Sequence, residues 1–169
     1  FVPIAESTGL MQKLGAFIIE SSVLQIAHLH RTTEQNIGLS INISVRQFSH
    51  KSFSEHLLAT LEKYQFSAHC LTLEITESLF IEDVTLVKPI FQALKEKDIK
   101  ISLDDFGTGY SSLSMLKVLP INELKIDKSF IENIAIDQQS LTMVQNIIAI
   151  GKNFGMVVLA EGVESNEHF

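Results

Sequence analysis

Two adjacent aspartates, Asp104 and Asp105, have the residue types and spacing that point most directly to chemistry in this sequence. Neighbouring carboxylates repel each other when both are ionised, and a divalent cation such as Mg²⁺ or Mn²⁺ relieves that repulsion by accepting hard oxygen ligands. Gly107 and Gly109 follow at once, so the loop can approach a ligand closely and can move. The alternative interpretation is an acidic turn that caps the next helix.

Oxygen-bearing side chains also occur near the ends of two earlier strand-like runs. Asn42 and Glu74 stand at points comparable to that of Asp104, each near the end of a short apolar run. Together the three offer neutral or anionic oxygen, which is the ligand type that hard metal ions prefer. Asn42 could instead be an ordinary turn residue. Glu74, flanked by leucine and isoleucine, needs a polar partner if it faces the protein interior.

Further charged residues lie within or just after the later apolar runs. Lys125 is flanked by apolar residues, where its charge is costly unless it is paired, and period-two alternation puts Asp127 on the same face. A salt bridge to a neighbouring strand would explain Lys125 equally well. Glu161 follows another apolar run and could be a site carboxylate or a helix cap. Arg46 could reach a phosphate or could belong to a surface loop.

The elements that must position these residues alternate along the chain. Apolar runs predict strands, and periodic segments between them predict helices, which is typical of parallel α/β folds. The predicted strands are 39–44, 71–76, 100–104, 123–127 and 156–160, and the predicted helices are 10–31, 52–64, 84–97, 111–119 and 138–154. In barrels and open sheets of this class, ligands bind at the carboxyl ends of the strands.

Local signals refine some of these helices. Ser52 with Glu55 predicts a capping box, and Asp137 predicts an N-cap for the helix that starts at Gln138. Phe17 and Phe91 are expected in the core. The six histidines show no spacing that meets an acidic partner, so they are interpreted as surface or packing residues.

Composition limits the classes of function. The 169 residues carry a net charge of −7, which argues against binding to DNA or RNA polymers because phosphate contacts need Lys and Arg. The single cysteine, Cys70, excludes an internal disulfide and suits a reducing cytosol. Since no apolar run approaches about 18 residues, we expect no membrane contact from this segment and a cytoplasmic location, with a parent protein that could be anchored to the inner membrane.

The sequence motifs around these residues resemble those of one bacterial family, the EAL domain. The similar phrases, in order, are the opening Phe1 to Leu10, Ser40-Ile41-Asn42-Ile43-Ser44-Val45-Arg46-Gln47, Glu74-Ile75-Thr76-Glu77, Asp104 through Ser112, Leu124-Lys125-Ile126-Asp127 and Ala160-Glu161-Gly162-Val163-Glu164. The resemblance runs over essentially the whole chain.

The resemblance implies a modified TIM (β/α)₈ barrel, present here as a partial barrel of about five parallel strands with helices. It implies hydrolysis of cyclic di-GMP by water that metal activates, with two Mg²⁺ or Mn²⁺ ions. The implied roles are metal ligation by Asn42, Glu74, Asp104 and Asp105, catalysis by Lys125, Glu161 and Asp105, loop anchoring by Glu77 and substrate binding by Arg46. It also implies a homodimer through the region near Ser111 to Leu119.

The departure from the family lies at the ends of the chain. The signature Glu-Ala-Leu tripeptide does not occur, and neither does the closing Gln-Gly strand. We therefore interpret 1–169 as a partial EAL domain and expect the signature upstream of Phe1 and the closing strand downstream of Phe169. On that interpretation the chain alone is expected to be inactive and to self-associate.

Two other functions are weighed against hydrolysis. An EAL domain can lose catalysis and act as a receptor or scaffold for cyclic di-GMP, but such loss usually removes the ligands or the Asp-Asp loop, both of which are kept here. A receiver-like signalling domain also uses an acidic pair and a lysine. Its acidic pair ends the first strand, however, whereas here the pair ends the third predicted strand.

Overall fold

The computed structural model describes residues 2–33, 35–50, 52–78, 84–109, 113–165 and 168. Five parallel strands follow one another in chain order in the sheet, with helices between them. Within the described residues the sheet does not close on itself. The predicted α/β partial barrel is therefore confirmed. The chain divides into two compact units.

The first unit contains the described residues up to Glu74 together with Thr85–Lys100. Its main elements are α1 (Val2–Ser7), α2 (Met11–Thr33), β1 (Leu39–Asn42), α3 (Val45–Phe48), α4 (Phe53–Lys63), the 3₁₀ turn Ala68–Cys70, most of β2 (Leu71–Thr76) and most of α5 (Val84–Lys95). Strands β1 and β2 pair in parallel, with Leu39 opposite Leu71 and Asn42 opposite Glu74.

One stripe of α2 is buried. Met11, Gly15, Ile19, Val23 and Ala27 recur every four residues and so share a single helical face. Phe17 lies on another face and is 68% exposed, so the prediction that it belongs to the core is wrong. The same prediction is confirmed for Phe91, which is fully buried.

The capping box of the first unit is not the predicted one. Ser52 does precede α4, but its side chain makes no capping hydrogen bond and instead lies 2.9 Å from Nδ1 of His50. A capping box forms at α3, where the Ser44 hydroxyl accepts from the Gln47 N–H and the Gln47 side chain accepts from the Ser44 N–H. This short helix begins three residues after Asn42, where the sequence indicated no helix.

The second unit contains the described residues of 75–84 and 101–169. Its main elements are most of β3 (Lys100–Phe106), α6 (Leu113–Val118), β4 (Glu123–Ile126), α7 (Lys128–Glu132), α8 (Gln138–Phe154) and β5 (Val157–Ala160). Asp137 caps α8 as predicted, accepting from the N–H groups of Gln139 and Ser140. The Ser140 hydroxyl, together with these two N–H groups, holds the pKa of the Asp137 carboxyl below its usual range. No helix among the described residues is long and apolar enough to span a membrane.

Strand register in the second unit aligns the site residues. β4 lies between β3 and β5 and pairs in parallel with both, with Lys125 opposite Leu159. The β3–β4 register shifts between Leu103 and Phe106, where Asp104 and Asp105 lie. This irregularity changes the direction in which the two aspartates leave the strand.

Helix α8 approaches β5 closely at Gly151. A Cβ built at Gly151 would lie 2.2 Å from Cγ2 of Val158, a β-branched side chain that cannot turn away easily. Packing therefore requires glycine here, although glycine within a helix costs about 1 kcal/mol relative to alanine.

We expect Gly151→Ala to lower the free energy of unfolding. Overpacking costs about 1–3 kcal/mol and outweighs the gain in helix propensity of about 1 kcal/mol. Urea unfolding followed by circular dichroism measures the difference. Asn153→Ala, at an exposed position of the same helix, is the matched control and should change stability little. Unchanged or increased stability of Gly151→Ala would contradict the close approach.

Candidate metal and active site

In the first unit, β1 and β2 place two predicted ligands side by side. Asn42 and Glu74 are register partners at the carboxyl end of the strand pair, and the Ile43 N–H donates to the Glu74 carbonyl at 2.8 Å. Asn42 is exposed and Glu74 is half-buried. Both side chains therefore offer oxygen at one edge of the sheet, while Arg46 lies exposed on the following α3.

In the second unit, Lys125 joins two strand ends through ion pairs. Its Nζ lies 2.9 Å from Oδ1 of Asp104 and 2.6 Å from Oε1 of Glu161. The Lys125 side chain is only 10% exposed, so these contacts are shielded from water and hold the ammonium in place. Lys125 therefore forms the salt bridges to neighbouring strands that the sequence suggested. Both of its partners, Asp104 and Glu161, are predicted site residues.

Three carboxylates of the second unit form a compact oxygen cluster. Asp104, Asp105 and Glu161 each bring one oxygen to within 4.8 Å of the others, and all three are half-buried. Burial raises the pKa of Asp105 above its usual range, and the negative charges of Asp104, Asp127 and Glu161 raise it further. The ionised form of Asp105 is therefore disfavoured in this cluster.

Asp105 is held in an unusual backbone conformation. Its φ of 54° lies in the left-handed region, which few residues other than glycine, asparagine and aspartate adopt readily. Its carbonyl accepts from the N–H and hydroxyl of Thr108, so a tight turn follows it. Because of this conformation, the Asp105 side chain does not follow the usual alternation of side chains between the two faces of a strand.

Asp127 adds a fourth carboxylate that sequence reasoning did not include among the site residues. It caps α7 by accepting from the Ser129 N–H at 2.9 Å, and hydrogen bonds from Ser129 lower the pKa of its carboxyl. It also hydrogen-bonds Asp105, which in its protonated form donates. The available signal was the period-two alternation that puts Asp127 on the face of Lys125.

Glu77 holds the loop that follows β3. It is buried, and its Oε1 accepts from the Gly107 N–H at 2.9 Å. Gly107 has a φ of 101°, and a Cβ there would lie 3.0 Å from the Phe130 ring, so glycine is required. Residues 110–112, which end the motif that begins at Asp104, lie outside the described residues. The contact agrees with the anchoring role predicted for Glu77, which stays a prediction.

We expect Glu77→Ala to release this loop. A hydrogen bond to a charged acceptor contributes about 1.5–3 kcal/mol, so exchange of the Gly107 amide should accelerate about tenfold or more. Glu77→Gln retains an acceptor oxygen and should keep exchange close to that of the unmodified protein. Residue-resolved hydrogen exchange measures both variants. Equal protection in the alanine and glutamine variants would show that other contacts hold the loop.

The donor chemistry of the cluster fits a hard divalent cation. Carboxylate oxygens are ligands that Mg²⁺ and Mn²⁺ accept, and the raised pKa of Asp105 shows that its ionised form lacks sufficient compensation from protein groups. A cation held by Asp104 and Asp105, beside Glu161, would supply that compensation. The second unit thus contains an acidic cluster that could bind metal.

Comparison with known sequences places the chain in one family. The EAL domain family model matches residues 1–169. The signaling protein YkoW of Bacillus subtilis is 42% identical over 165 residues, covering 98% of this chain and 20% of YkoW. The bifunctional diguanylate cyclase/cyclic di-GMP phosphodiesterase MucR of Pseudomonas aeruginosa is 35% identical, covering 98% of this chain and 24% of MucR. The chain thus spans between a fifth and a quarter of these relatives.

Solved structures show the same fold. A structure described as the PaMucR phosphodiesterase in complex with c-di-GMP superposes with a TM-score of 0.93 at 34% identity, covering 99% of this chain and 68% of that one. The EAL enzyme Bd1971, with cAMP and cyclic di-GMP bound, superposes with a TM-score of 0.91 at 32% identity, covering 99% and 46%. With its full-length family match and these neighbours, the chain belongs to the EAL domain family.

Proposed function

We propose that this domain hydrolyses cyclic di-GMP to the linear dinucleotide in bacterial second-messenger signalling. The observation that carries the proposal is Lys125, a shielded cation held between Asp104 and Glu161 beside a cluster of carboxylate oxygens. Relatives are named as cyclic di-GMP phosphodiesterases, and one similar solved structure contains that nucleotide. Both support the choice of substrate.

Divalent cations are part of the proposal. Asn42, Glu74, Asp104 and Asp105 would be their protein ligands, and Mg²⁺ or Mn²⁺, in two sites, would suit these oxygen donors. When bound, such cations supply Lewis acidity toward the phosphoryl group and make water a stronger acid.

The protein groups have separate tasks in the proposed reaction. Lys125 would stabilise the negative charge that develops on the phosphoryl oxygens, and its two ion pairs hold it in place for that task. Glu161, which also pairs with the ammonium, would accept the proton of the attacking water. A P–O bond to water forms as one ester P–O bond of the ring breaks, and the departing sugar oxygen takes up a proton. Arg46 would bind a phosphate.

A hydrolysis assay with product identification tests the function. The intact domain of the parent protein is incubated with cyclic di-GMP and Mg²⁺ or Mn²⁺, and the products are separated by chromatography. We expect the linear dinucleotide with metal and none with chelator. Tight binding of cyclic di-GMP without hydrolysis under both conditions would favour the receptor function, and undiminished hydrolysis in chelator would contradict the metal requirement.

We further propose a homodimer through the region after the Asp-Asp loop. Within α6, Leu113 is 53% exposed and Val118 is 46% exposed, so apolar surface is available there. Residues 111 and 112 of the proposed interface lie outside the described residues. Sedimentation should show a dimer that Leu113→Lys with Val118→Lys weakens. An unchanged association constant would place the interface elsewhere.

A further inference from the structure

The short helix α7 begins just beyond β4, the strand that carries Lys125. It spans Lys128–Glu132, and only Asp127 separates it from the strand. Asp127 caps the helix and also hydrogen-bonds Asp105. Ile131 is buried and holds the helix against the protein interior. These contacts give α7 a fixed place beside Lys125 and the aspartates.

Phe130 of α7 packs against the loop that follows the two aspartates. A Cβ built at Gly107 would lie 3.0 Å from Cε2 of Phe130. Two side chains of α8, Ile147 and Met143, would lie 3.2 and 3.4 Å from the same position. The backbone two residues after Asp105 therefore lies directly against an apolar surface that α7 and α8 form together.

The first residue of the same helix packs against the segment that carries Glu161. A Cβ built at Gly162 would lie 2.9 Å from Cβ and 3.6 Å from Cα of Lys128. Gly162 follows Glu161 directly, and its φ of 72° is in the left-handed region that glycine adopts readily. Helix α7 thus contacts both of the segments that contribute carboxylates to the acidic cluster.

We propose that Phe130 is a positioning residue of the proposed hydrolytic centre. It acts through Gly107, because its ring fills the space beside that backbone and so fixes where Asp104 and Asp105 stand relative to Lys125. A metal ligand keeps its geometry only when the groups behind it hold it in place. The inference rests on the proposed function, since it takes the two aspartates to be ligands of a cation.

A contribution to stability alone is the alternative role for Phe130. The ring is half-buried, so its removal is expected to lower the melting temperature in either case. Only a positioning role predicts that metal binding also weakens while the domain stays folded. Val144 is the suitable comparison, because it is buried on α8 and the three atoms nearest a Gly107 Cβ belong to other residues.

Mn²⁺ binding to the intact domain of the parent protein tests the inference. Electron paramagnetic resonance distinguishes free from bound Mn²⁺ and so gives the affinity for the metal alone. Phe130→Ala removes the ring, Phe130→Leu keeps an apolar side chain in its place, and Val144→Ala is the control for lost stability. Circular dichroism checks that each variant is folded, and turnover of cyclic di-GMP is measured separately at saturating Mn²⁺.

We expect Phe130→Ala to bind Mn²⁺ at least about tenfold more weakly than the unmodified domain, as is typical when a group that supports a metal ligand is removed. Its turnover should fall as well. Phe130→Leu should keep most of the affinity, because leucine still fills the space beside Gly107. Val144→Ala should melt at a lower temperature and bind Mn²⁺ normally.

The inference is overturned if folded Phe130→Ala binds Mn²⁺ normally, if Val144→Ala or Phe130→Leu loses as much affinity, or if the unmodified domain does not bind Mn²⁺. Should Phe130→Ala fail to fold, Phe130→Val removes less of the side chain and replaces it in the same comparison. Mn²⁺ binding that depends on Phe130 in a domain that does not hydrolyse cyclic di-GMP would support the positioning role and contradict the proposed function.

Discussion

Replacing Lys125 by methionine in the intact domain is expected to lower the turnover of cyclic di-GMP by about a hundredfold or more, because a preorganised group that stabilises transition-state charge typically contributes that much. Methionine has a similar length and no charge, so it isolates the ammonium. Asp104 and Glu161 would then lack the cation that lies 2.9 and 2.6 Å from their oxygens. Added Mg²⁺ should therefore raise the melting temperature of this variant at least as much as that of the unmodified protein.

The control for this result is Lys152→Met. Lys152 is exposed in the last turn of α8, so the same substitution there should leave turnover unchanged. Steady-state kinetics and thermal unfolding with and without Mg²⁺ separate loss of chemistry from loss of folding or of metal. If Lys125→Met keeps more than about a tenth of the turnover, the ammonium does not stabilise the transition state as proposed.

Asp104→Asn is expected to remove activity by a different route. The substitution preserves the shape of the side chain but removes a charge that pairs with Lys125 and contributes an oxygen to the acidic cluster. Turnover should fall by about a hundredfold or more, since the electrostatic contribution of bound metal is several kcal/mol. Unlike Lys125→Met, this variant should also lose most of the thermal stabilisation by Mg²⁺ or Mn²⁺.

Glu123→Gln is the matched control for Asp104→Asn. Glu123 also belongs to the sheet, but its Oε1 accepts from the Ser102 hydroxyl at 2.8 Å, a bond that glutamine can retain. Activity and stabilisation by metal should persist in it. If Asp104→Asn is stabilised by Mg²⁺ as strongly as the unmodified protein, Asp104 is not a metal ligand.

The sequence was sufficient to predict the parts of the fold that depend on local pattern. Apolar runs gave the five strands to within about two residues, and a resemblance in short phrases indicated the family. The salt bridge considered for Lys125 also followed from local reasoning, because a charge between two apolar strand residues needs a partner.

Features that depend on which side-chain contacts form were missed. Ser52 and Glu55 fit the spacing of a capping box, but the Ser52 hydroxyl lies against His50 instead, and the box forms at Ser44 and Gln47. Gly15 could not be identified as the glycine that leaves room for Gln47, because the two are far apart in the chain. In the first case a competing local hydrogen bond decided between two similar serines, and in the second a tertiary contact fixed the role of the glycine.

The left-handed backbone of Asp105 has an evolutionary consequence. A φ of 54° excludes β-branched and bulky replacements, but asparagine and glycine tolerate it. Both are one nucleotide away from an aspartate codon, so single transitions can remove this carboxylate while the turn is preserved. If the domain hydrolyses cyclic di-GMP as proposed, mutation at this codon would give a lineage a direct path from hydrolysis to ligand binding alone, with the turn preserved. Asn or Gly at this position in a descendant would be the genomic mark of that path.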